Sequence, residues 1–359
     1  MVDRTLTFKN SLIEAIAAIE QSFKRMTVVL SDDGVLLGTL TDGDIRRHLL
    51  SNGTLNDSVI KAMNSNPIKA IENSSSGFLI DLMRHGNVNT IPIVDSDNKF
   101  IRLTHIIDID NSLDNFNKSD LRTFSFAVIM AGGQGKRLRP YTERIPKPMI
   151  EIAGAPLLES QIRRLVNIGI EIIYISINYL GHLIESYFGN GKKFGIKIIY
   201  LKEQIKLGTA GSLSLLPKIS NSEILIMNGD ILTNSDFTSL FNFHKSLTSK
   251  ITIAAINYKI QVPYGVIKTS GTFASELIEK PSESFFCNAG IYAISSDVLS
   301  LIKPKEYLDM PDFISKCIKT GLPVAVYPIH EYWSDIGTPD DLEKARTFFT
   351  QSENIKKIN

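Results

Sequence analysis

Short apolar runs alternate with amphipathic segments from Phe124 to about Thr350. The runs have the length of buried parallel strands, and the segments between them repeat apolar residues at helical spacing. Such alternation is typical of a doubly wound, mostly parallel, Rossmann-like α/β sheet. The predicted strands are 127–130, 171–177, 197–200 and 223–227, and the predicted helices are 156–168, 182–188 and 209–216.

The first third of the chain contains an internal repeat with a different pattern. Residues 27–45 align without gaps on residues 91–109, at a constant offset of 64 (91 − 27). Each copy predicts an amphipathic helix, a strand, a polar turn, a second strand and a further helix. A copy of about 55 residues is marginally stable alone. We therefore expect the two copies to pair into one α+β unit.

The first copy of this repeat ends in the segment GTLTDGDIRR. This ending and the tandem arrangement resemble a pair of cystathionine-β-synthase (CBS) motifs. The resemblance implies a regulatory module in which Thr41 and Asp44 hold an adenine or guanine nucleotide. Two alternatives are that these residues only cap a helix, and that the module dimerises the chain. The second copy has Thr104 and Ile107 in these places, with Asp108 one place on, which weakens the case for a ligand site there.

The strand that opens the second region ends in a glycine-rich loop followed by cations. Residues 126–149 read FAVIMAGGQGKRLRPYTERIPKPM. Glycine allows the backbone to approach a ligand closely, and N–H groups at such a loop can bind phosphate. The dinucleotide-binding fingerprint is absent, because no G-x-G-x-x-G opens a helix here. The pattern predicts a site for the polyphosphate of a nucleotide.

The order of these residues resembles the signature of the sugar-phosphate nucleotidylyltransferases, G-G-x-G-x-R-L-x-P-x-T followed by P-K-P-M. The resemblance extends over about residues 124–347. It implies that a nucleoside triphosphate and a sugar 1-phosphate react to a nucleotide sugar and pyrophosphate, with Mg²⁺ as cofactor. Glu203 or Gln204 would reach the base. The implied nucleotide-binding residues are Met130, Ala131, Gly132, Gly133, Gly135, Arg137, Lys147, Gly208, Thr209 and Ala210.

Nucleotidyl transfer requires cations that neutralise the phosphates and a metal that orients them. Arg137 would grip the β- and γ-phosphates, because a planar guanidinium suits bidentate phosphate binding. Lys147, between two prolines, would bridge the α-phosphate and the attacking sugar phosphate. Asp230 ends a buried strand and is a natural magnesium ligand. Asp335, in a segment that resembles the family's W-x-D-I-G-T-P-x-D-L, matches the second magnesium ligand.

Three further segments, PYGV, EKP and NAGIY, follow in the order that the family has. The resemblance implies that Gly265 and Asn288 line the sugar pocket. It also implies that Glu279 binds sugar hydroxyls and that Lys280 holds the sugar phosphate. Lys280 therefore joins Arg137, Lys147 and Asp230 among the predicted catalytic residues.

These patterns divide the chain into a CBS module at 1–112, a linker at 113–123, a catalytic domain at 124–350 and a tail at 351–359. The net charge of +1 provides no field for nucleic acid or an anionic membrane. No signal-peptide pattern begins the chain, and no apolar run reaches the length of about 18 residues that a membrane helix needs. We expect a cytoplasmic protein that forms a homo-oligomer, a dimer or larger.

The combination of the two modules resembles guanylyltransferases that make GDP-activated amino sugars for bacterial surface sugars such as legionaminic acid. It favours GTP and glucosamine 1-phosphate as substrates, with GDP-glucosamine as product. Open alternatives are a guanylyltransferase for mannose or heptose phosphates, a UDP- or dTDP-sugar pyrophosphorylase, and a phosphocholine cytidylyltransferase. An alternative from another class is a nucleotide sensor, with a CBS module on an inactive domain. Five charges predicted to converge on one site argue against the sensor, because such convergence is costly without a use.

Overall fold

The chain divides into two units, Met1–Arg122 and Thr123–Asn359. Their structure is a computed structural model that describes residues 4–22, 24–86, 88–109 and 123–358. The predicted linker, apart from Thr123, lies outside the described residues. No helix in the described ranges is long and apolar enough to cross a membrane.

The sequence repeat corresponds to two copies of one fold in the first unit. The first copy consists of β1 (Thr5–Thr7), α1 (Leu12–Gln21), β2 (Met26–Leu30), β3 (Leu36–Thr41) and α2 (Asp42–Leu50). The second consists of β4 (Ala70–Ile71), α3 (Ser76–Gly86), β5 (Thr90–Val94), β6 (Phe100–His105) and α4 (Ile106–Ile109). The three-stranded sheets have the orders β1-β2-β3 and β4-β5-β6. The predicted repeat is therefore confirmed as a structural repeat.

The two copies pack together through their sheets. The amide N–H of Leu36 donates to the carbonyl of Asn98 at 2.9 Å, and that of Phe100 donates to the carbonyl of Gly34 at 3.0 Å. Because each copy buries apolar residues of the other, the two sheets stabilise each other. The buried side chains that the copies share are Val28, Leu36, Val94 and Leu103.

The structural repeat corrects the predicted equivalence of the two helix starts. Thr41 corresponds to His105 and Asp44 to Asp108, because α2 and α4 both begin directly after the second strand of their copy. The N–H of His105 donates to the Asp108 carboxylate at 3.1 Å, as that of Thr41 donates to Asp44 at 2.8 Å. The second copy thus keeps the acidic residue. The residues predicted in these places are one position out of register and therefore wrong; they are Thr104 and Ile107.

The second unit is built on a seven-stranded sheet with the order β11-β10-β7-β12-β17-β14-β18. Within this sheet, β17 alone runs antiparallel to its neighbours, so the predicted mostly parallel sheet is confirmed. The strands are β7 (Phe126–Met130), β8 (Glu151–Ile152), β9 (Ala155–Pro156), β10 (Ile172–Ile177), β11 (Lys197–Lys202), β12 (Glu223–Asn228), β13 (Ile231–Thr233), β14 (Ile251–Gln261), β15 (Val266–Ser270), β16 (Phe273–Ile278), β17 (Ser282–Ser295), β18 (Val324–Ile329) and β19 (Trp333–Asp335).

The helices of this unit lie close to the predicted positions. The predicted helix at 209–216 is a short α-helix followed by a 3-10 turn, Ser212–Leu215. The last helix continues to Ile358 and so includes most of the predicted tail. The helices are α5 (Leu157–Asn167), α6 (Gly181–Phe188), α7 (Gly208–Gly211), α8 (Phe237–Ser246), α9 (Met310–Lys319) and α10 (Pro339–Ile358).

The central strands β7, β10 and β12 are buried on both faces, which explains their continuous apolar runs. Their parallel pairing brings their carboxyl ends to one edge of the sheet. The glycine loop leaves β7 at this edge, and Asp230 follows β12 there. The fold therefore gathers the predicted phosphate and metal residues where open α/β sheets bind ligands.

A buried polar network lies at the opposite end of β12. His244 on α8 contacts the Thr252 hydroxyl at 2.7 Å through Nδ1 and the Glu223 carboxylate at 3.1 Å through Nε2. Lys245 and Ser295 also donate to Glu223, at 2.8 and 2.7 Å. Burial acts to raise the pKa of Glu223, but the hydrogen bonds outweigh it and lower that pKa to about 2.

Replacing this carboxylate should reduce stability in a pH-dependent way. A carboxyl group whose pKa is lowered in the folded state stabilises the fold at pH values above its unfolded-state pKa. This stabilisation is lost as the pH falls toward the folded-state pKa. We expect Glu223→Gln to lower the free energy of unfolding by about 2 kcal/mol near neutral pH. Urea titrations should show this difference shrinking as the pH falls through the interval between 4.5 and about 2.

The exposed Lys268–Glu276 pair provides the control for this prediction. Glu276→Gln should change the free energy of unfolding by less than about 0.5 kcal/mol at any pH, because exposed ion pairs contribute little. Equal losses in the two variants, or a loss in Glu223→Gln that does not depend on pH, would contradict the role of the network.

Candidate active site

A small second sheet brings two distant carboxylates together beside the central strands. β13 pairs antiparallel with β19, with Ile231 opposite Asp335. The N–H of Ile336 donates to the carbonyl of Asp230 at 3.1 Å. Asp230 and Asp335, predicted as the two metal ligands, are therefore neighbours in space.

Lys147 lies between these two carboxylates. Its Nζ is 2.5 Å from Oδ2 of Asp230 and 3.3 Å from Oδ1 of Asp335. The lysine is only 8% exposed. It lies between Pro146 and Pro148 and is the first residue of the 3-10 turn Lys147–Met149. A buried ammonium requires compensating charge and fixed geometry, and the two carboxylates supply the charge.

Arg137 completes the group, which we call the charged cluster: Arg137, Lys147, Asp230 and Asp335. Burial and the neighbouring Asp230 raise the pKa of Asp335 above its ordinary value, and the cations Lys147 and Arg137 oppose that shift. The Arg137 guanidinium lies against Gly337, where an added Cβ would be 3.4 Å from Nη2. The structure thus brings together four residues that the sequence predicted for one site.

The glycine loop borders the charged cluster and offers hydrogen-bond donors. Gly135 has φ +60°, and a Cβ there would lie 3.2 Å from Cβ of Lys147 and 2.9 Å from Cγ2 of Thr142, so only glycine fits without displacement. Such unpaired amides at the end of a strand suit a phosphate group. Within this loop, the backbone amides of Gly132, Gly133, Gln134 and Gly135 donate to no acceptor among the described residues.

Glu203 lies between the two glycine-containing loops. Its carboxylate accepts from the Ser176 hydroxyl at 2.6 Å and from the N–H of Leu207 at 3.0 Å. A Cβ on Gly132 would lie 3.0 Å from its Oε1. A carboxylate can accept about four hydrogen bonds, so acceptor capacity remains for a base. Of the two residues predicted to reach the base, Glu203 is the one held in place, whereas Gln204 is exposed.

The predicted base-binding loop at α7 is held by the segment that precedes α9. The N–H of Thr209 donates to Oδ1 of Asp309 at 3.2 Å, and that of Ala210 donates to the carbonyl of Leu308 at 2.9 Å. Gly208 has φ +79°, and a Cβ there would be 2.6 Å from the Leu308 carbonyl oxygen. These amides therefore have a structural role, and their contact with a nucleotide stays a prediction.

Three of the predicted sugar-phosphate residues, Gly265, Glu279 and Lys280, lie in links between the strands β14 to β17, and Asn288 lies on β17. The Glu279 carboxylate lies 3.0 Å from the position of a Cβ on Gly265. Lys280 is exposed, and the Asn288 side chain accepts from the N–H of Gly290 at 2.9 Å. Among the described residues, no hydrogen bond or ion pair joins these four to the charged cluster. Their roles stay predictions.

Gln161 is a positioning residue that the sequence patterns did not reveal. It lies buried on α5, and its amide nitrogen donates to the carbonyls of Asn228 at 3.1 Å and Ile231 at 2.6 Å. These two carbonyls flank Asp230, so one side chain fixes the turn that carries the carboxylate. Its Oε1 is buried and has no hydrogen-bond partner in the described part of the chain.

In the first unit, the predicted regulatory residues form a helix cap. The Thr41 hydroxyl donates to Oδ2 of Asp44 at 2.6 Å, and the N–H of Asp44 donates back to that hydroxyl at 3.3 Å. Arg47 donates to the other oxygen of Asp44 at 2.6 Å. This is the capping box that the sequence left open as an alternative. Nucleotide binding at Thr41 and Asp44 stays a prediction.

Comparison with known families agrees with this arrangement. The family described as "Nucleotidyl transferase" matches residues 126–352, which is more than half of the chain. The chain belongs to the nucleotidyl transferase family. A CBS domain matches residues 4–51, the first copy of the repeat, and the second copy is recognisable from its repeated strands and register.

Several proteins that are similar to this chain are named after the reaction that they catalyse. A mannose-1-phosphate guanylyltransferase from Mycobacterium tuberculosis is 29% identical over 223 residues, which cover 60% of this chain and 62% of that protein. A mannose-1-phosphate guanyltransferase from Candida glabrata is 32% identical and covers 63% and 64%. The chain thus spans less than two thirds of either relative.

A solved structure has the same fold. HddC from Yersinia pseudotuberculosis is 26% identical, with a TM-score of 0.50, and the match covers 63% of this chain and 99% of HddC. HddC has also been solved in complex with GMP-PN. The match therefore spans almost the whole length of HddC but only part of this chain.

Removing the central cation should destabilise the second unit. We expect Lys147→Met to lower the free energy of unfolding by about 3 kcal/mol, because it leaves two carboxylates facing each other. Since Lys147 lowers the pKa of Asp335, the variant should raise that pKa further and lose less stability at acid pH. Urea unfolding at several pH values measures both effects.

Two further variants distinguish charge from packing in this prediction. Asp335→Asn should restore part of the stability in the Lys147→Met background, because it removes the repulsion. Lys136→Met, an exposed neighbour in the same loop, should change stability by less than about 0.5 kcal/mol. Additive losses for Lys147→Met and Asp335→Asn would contradict the electrostatic account.

Proposed function

We propose that this chain transfers a nucleotidyl group from a nucleoside triphosphate to a sugar 1-phosphate and releases pyrophosphate. The observation that carries the proposal is the charged cluster, where Lys147 joins Asp230 and Asp335 at 2.5 and 3.3 Å beside a loop of unpaired amides. An inactive nucleotide sensor would gain nothing from this costly convergence of charge. Family membership supports the same reaction class.

Different residues at the charged cluster bind the two substrates. The loop amides and Arg137 bind the β- and γ-phosphates, and Lys147 holds the α-phosphate next to the incoming sugar phosphate. An oxygen of the sugar phosphate attacks the α-phosphorus in line. The bond between the α-phosphorus and the bridging oxygen breaks, and pyrophosphate leaves with the electron pair. Lys280 and Glu279 hold the phosphate and hydroxyls of the acceptor.

The two carboxylates of the cluster also fit a divalent metal. One ammonium reaches both Asp230 and Asp335, so one cation of similar position can contact both. Within the described residues no group of three or more metal-ligating side chains occurs. Two carboxylates suffice for Mg²⁺, which takes one or two of them and completes its shell with water and substrate phosphates. The bound metal would neutralise phosphate charge during transfer.

Guanine is the base that the site favours in this proposal. Guanine presents two neighbouring donors, N1–H and the exocyclic N2 amine, and a carboxylate offers two acceptors to them. Glu203 is a half-buried carboxylate held by the Ser176 hydroxyl on β10 and by the N–H of Leu207. The named relatives are guanylyltransferases. We therefore propose GTP as the donor rather than UTP, dTTP or CTP.

The proposed acceptor is a sugar 1-phosphate, and there are two candidates for the sugar. Glucosamine 1-phosphate, with GDP-glucosamine as product, follows from the resemblance of the two-module chain to enzymes of legionaminic acid biosynthesis. Mannose 1-phosphate is the acceptor in the names of the relatives. The nucleotide ligand of the CBS module and the cytoplasmic location stay predictions.

Pyrophosphate release tests this function directly. With Mg²⁺, we expect GTP to react with glucosamine or mannose 1-phosphate, and UTP, dTTP and CTP to react at least about 10-fold more slowly. Asp230→Asn should lower kcat by roughly 1,000-fold and leave the circular dichroism spectrum unchanged, because it removes one metal ligand. Asp297→Asn, a surface aspartate paired with Lys250, is the matched control.

Two outcomes would contradict the proposal. No release with any pair of substrates would leave the reaction class unsupported. Normal turnover in Asp230→Asn would show that the charged cluster is not the metal site.

Glu203 should set the preference for guanine. Glu203→Gln replaces one acceptor by a donor, so we expect kcat/KM for GTP to fall about 10- to 100-fold and kcat/KM for UTP to change little. Gln204→Glu, at the exposed neighbour, is the control and should leave the ratio of GTP to UTP unchanged. An equal fall for both nucleotides in Glu203→Gln would assign the residue to loop structure alone.

A further inference from the structure

The helix α9 begins beside the predicted base-binding loop at α7, and the two helix starts exchange their capping groups. Asp309 precedes α9, but its side chain makes no capping hydrogen bond to that helix. It accepts instead from the N–H of Thr209 on α7 at 3.2 Å. The Thr209 hydroxyl in return accepts from the N–H of Met310, the first residue of α9, at 2.8 Å. Each side chain therefore satisfies an amide in the first turn of the other helix, where no intrahelical acceptor exists.

The sequence at the start of α9 explains why Asp309 does not cap its own helix. An aspartate in this place ordinarily accepts from the amides of the second and third helical residues. The second residue of α9 is Pro311, which has no N–H. Met310 is buried, so its amide needs an acceptor. Thr209 supplies that acceptor, and the Asp309 carboxylate is left to bind the loop at α7.

Both oxygens of the Asp309 carboxylate are held. Oδ1 accepts from Thr209, and Oδ2 accepts from the Tyr307 hydroxyl at 2.6 Å. Gly208 has φ +79°, and a Cβ there would lie only 2.8 Å from Oδ1. The carboxylate thus lies directly against the backbone of the loop, in one orientation.

The same loop is held on its other side by the carboxylate proposed to bind the base. The N–H of Leu207 donates to Oε2 of Glu203 at 3.0 Å. The carbonyl of Leu207 accepts from the N–H of Leu308 at 2.8 Å, next to Asp309 in the chain. The loop therefore lies between Glu203 and the segment that carries Asp309. A shift of the loop would move Leu207 relative to Glu203.

We propose that Asp309 is a positioning residue for the donor nucleotide. By holding the N–H of Thr209, it keeps the loop at α7 in the conformation that receives the base beside Glu203. This role rests on the proposed function. Asp309 itself contacts neither substrate.

The position of Asp309 restricts its effect to the donor. Among the described residues, no hydrogen bond or ion pair joins Asp309 to the charged cluster. A loop that is ordered before binding reduces the entropy lost when the ligand binds. Losing that order weakens binding of the nucleotide and leaves the transfer step at the cluster intact. The KM for the donor is therefore the value that should change.

Steady-state kinetics test this role. We expect Asp309→Ala to raise KM for GTP about 10-fold and to change kcat and KM for the sugar 1-phosphate by less than about 2-fold, because only the order of the donor loop is lost. In a variant with the wild-type circular dichroism spectrum, three results would overturn the proposal: an unchanged KM for GTP, an equal rise of both KM values, or a fall of kcat.

Two further variants separate the acceptor oxygen from charge. Asp309→Asn keeps an oxygen for the N–H of Thr209, so its KM for GTP should stay within about 3-fold of wild type. Asp312→Ala removes the same charge from the first turn of the same helix, where Asp312 is exposed, and should leave all three kinetic values within about 2-fold. A KM for GTP that rises as much in either variant as in Asp309→Ala would overturn the proposal.

Hydrogen exchange in the wild-type chain gives a test that needs no variant to fold. Gly208 and Thr209 are neighbours, but of these two only Thr209 has an acceptor for its N–H among the described residues. After correction for intrinsic rates, the amide of Thr209 should exchange at least about 10-fold more slowly than that of Gly208. Equal exchange at the two amides would overturn the proposal.

The measurements also separate this role from the proposed function. Turnover in the wild type with an unchanged KM for GTP in Asp309→Ala would leave the proposed function standing and overturn the role of Asp309. No turnover with any substrate pair would overturn the proposed function. Titration calorimetry with GTP would then decide the role of Asp309: the Kd should rise about 10-fold in Asp309→Ala, and an unchanged Kd would overturn it.

Discussion

The site depends on one buried cation held between two carboxylates. An ammonium with little exposure stabilises a fold only if its partners are fixed at short range. The structure fixes Lys147 by the prolines on either side, and Asp335 by the pairing of β19 with β13. Gln161 fixes Asp230 by holding the carbonyls around it. Three separate parts of the chain must therefore be in place before the charges can balance.

How much the sequence reveals depends on the range of the interaction. Strands β7, β10 and β12 were predictable because burial on both faces gives a continuous apolar run, and the glycine loop was predictable from local composition. The pairing of β13 with β19 was not, because strands of three residues have no periodicity. Gln161 is a polar residue on the apolar face of α5, between Leu157 and Leu165. This position is visible in the sequence, but the helical periodicity alone does not show which groups the side chain contacts.

The first unit shows where pattern reading fails by a single residue. The offset of the repeat pairs Thr41 with His105, but similarity of residue type favoured Thr104. The helix starts show which residue is equivalent to Thr41. In each copy, the residue directly before the helix donates its N–H to the acidic residue three positions later. The same capping box also explains why Thr41 and Asp44 attract two interpretations. A cap and a ligand site use the same residue types at a helix start.

The two halves of the candidate site differ in how firmly the single chain holds them. In one half, Lys147 donates to Asp230, and Glu203 accepts from Ser176 on β10 and from the N–H of Leu207. Gly265, Glu279 and Lys280 lie instead in links between the exposed strands β14 to β17. The proposed reaction needs the fixed half, because the proposed phosphate and metal contacts all lie there. The proposed acceptor contacts lie in the other half, where exposed strands and links tolerate substitution because few packed neighbours constrain them.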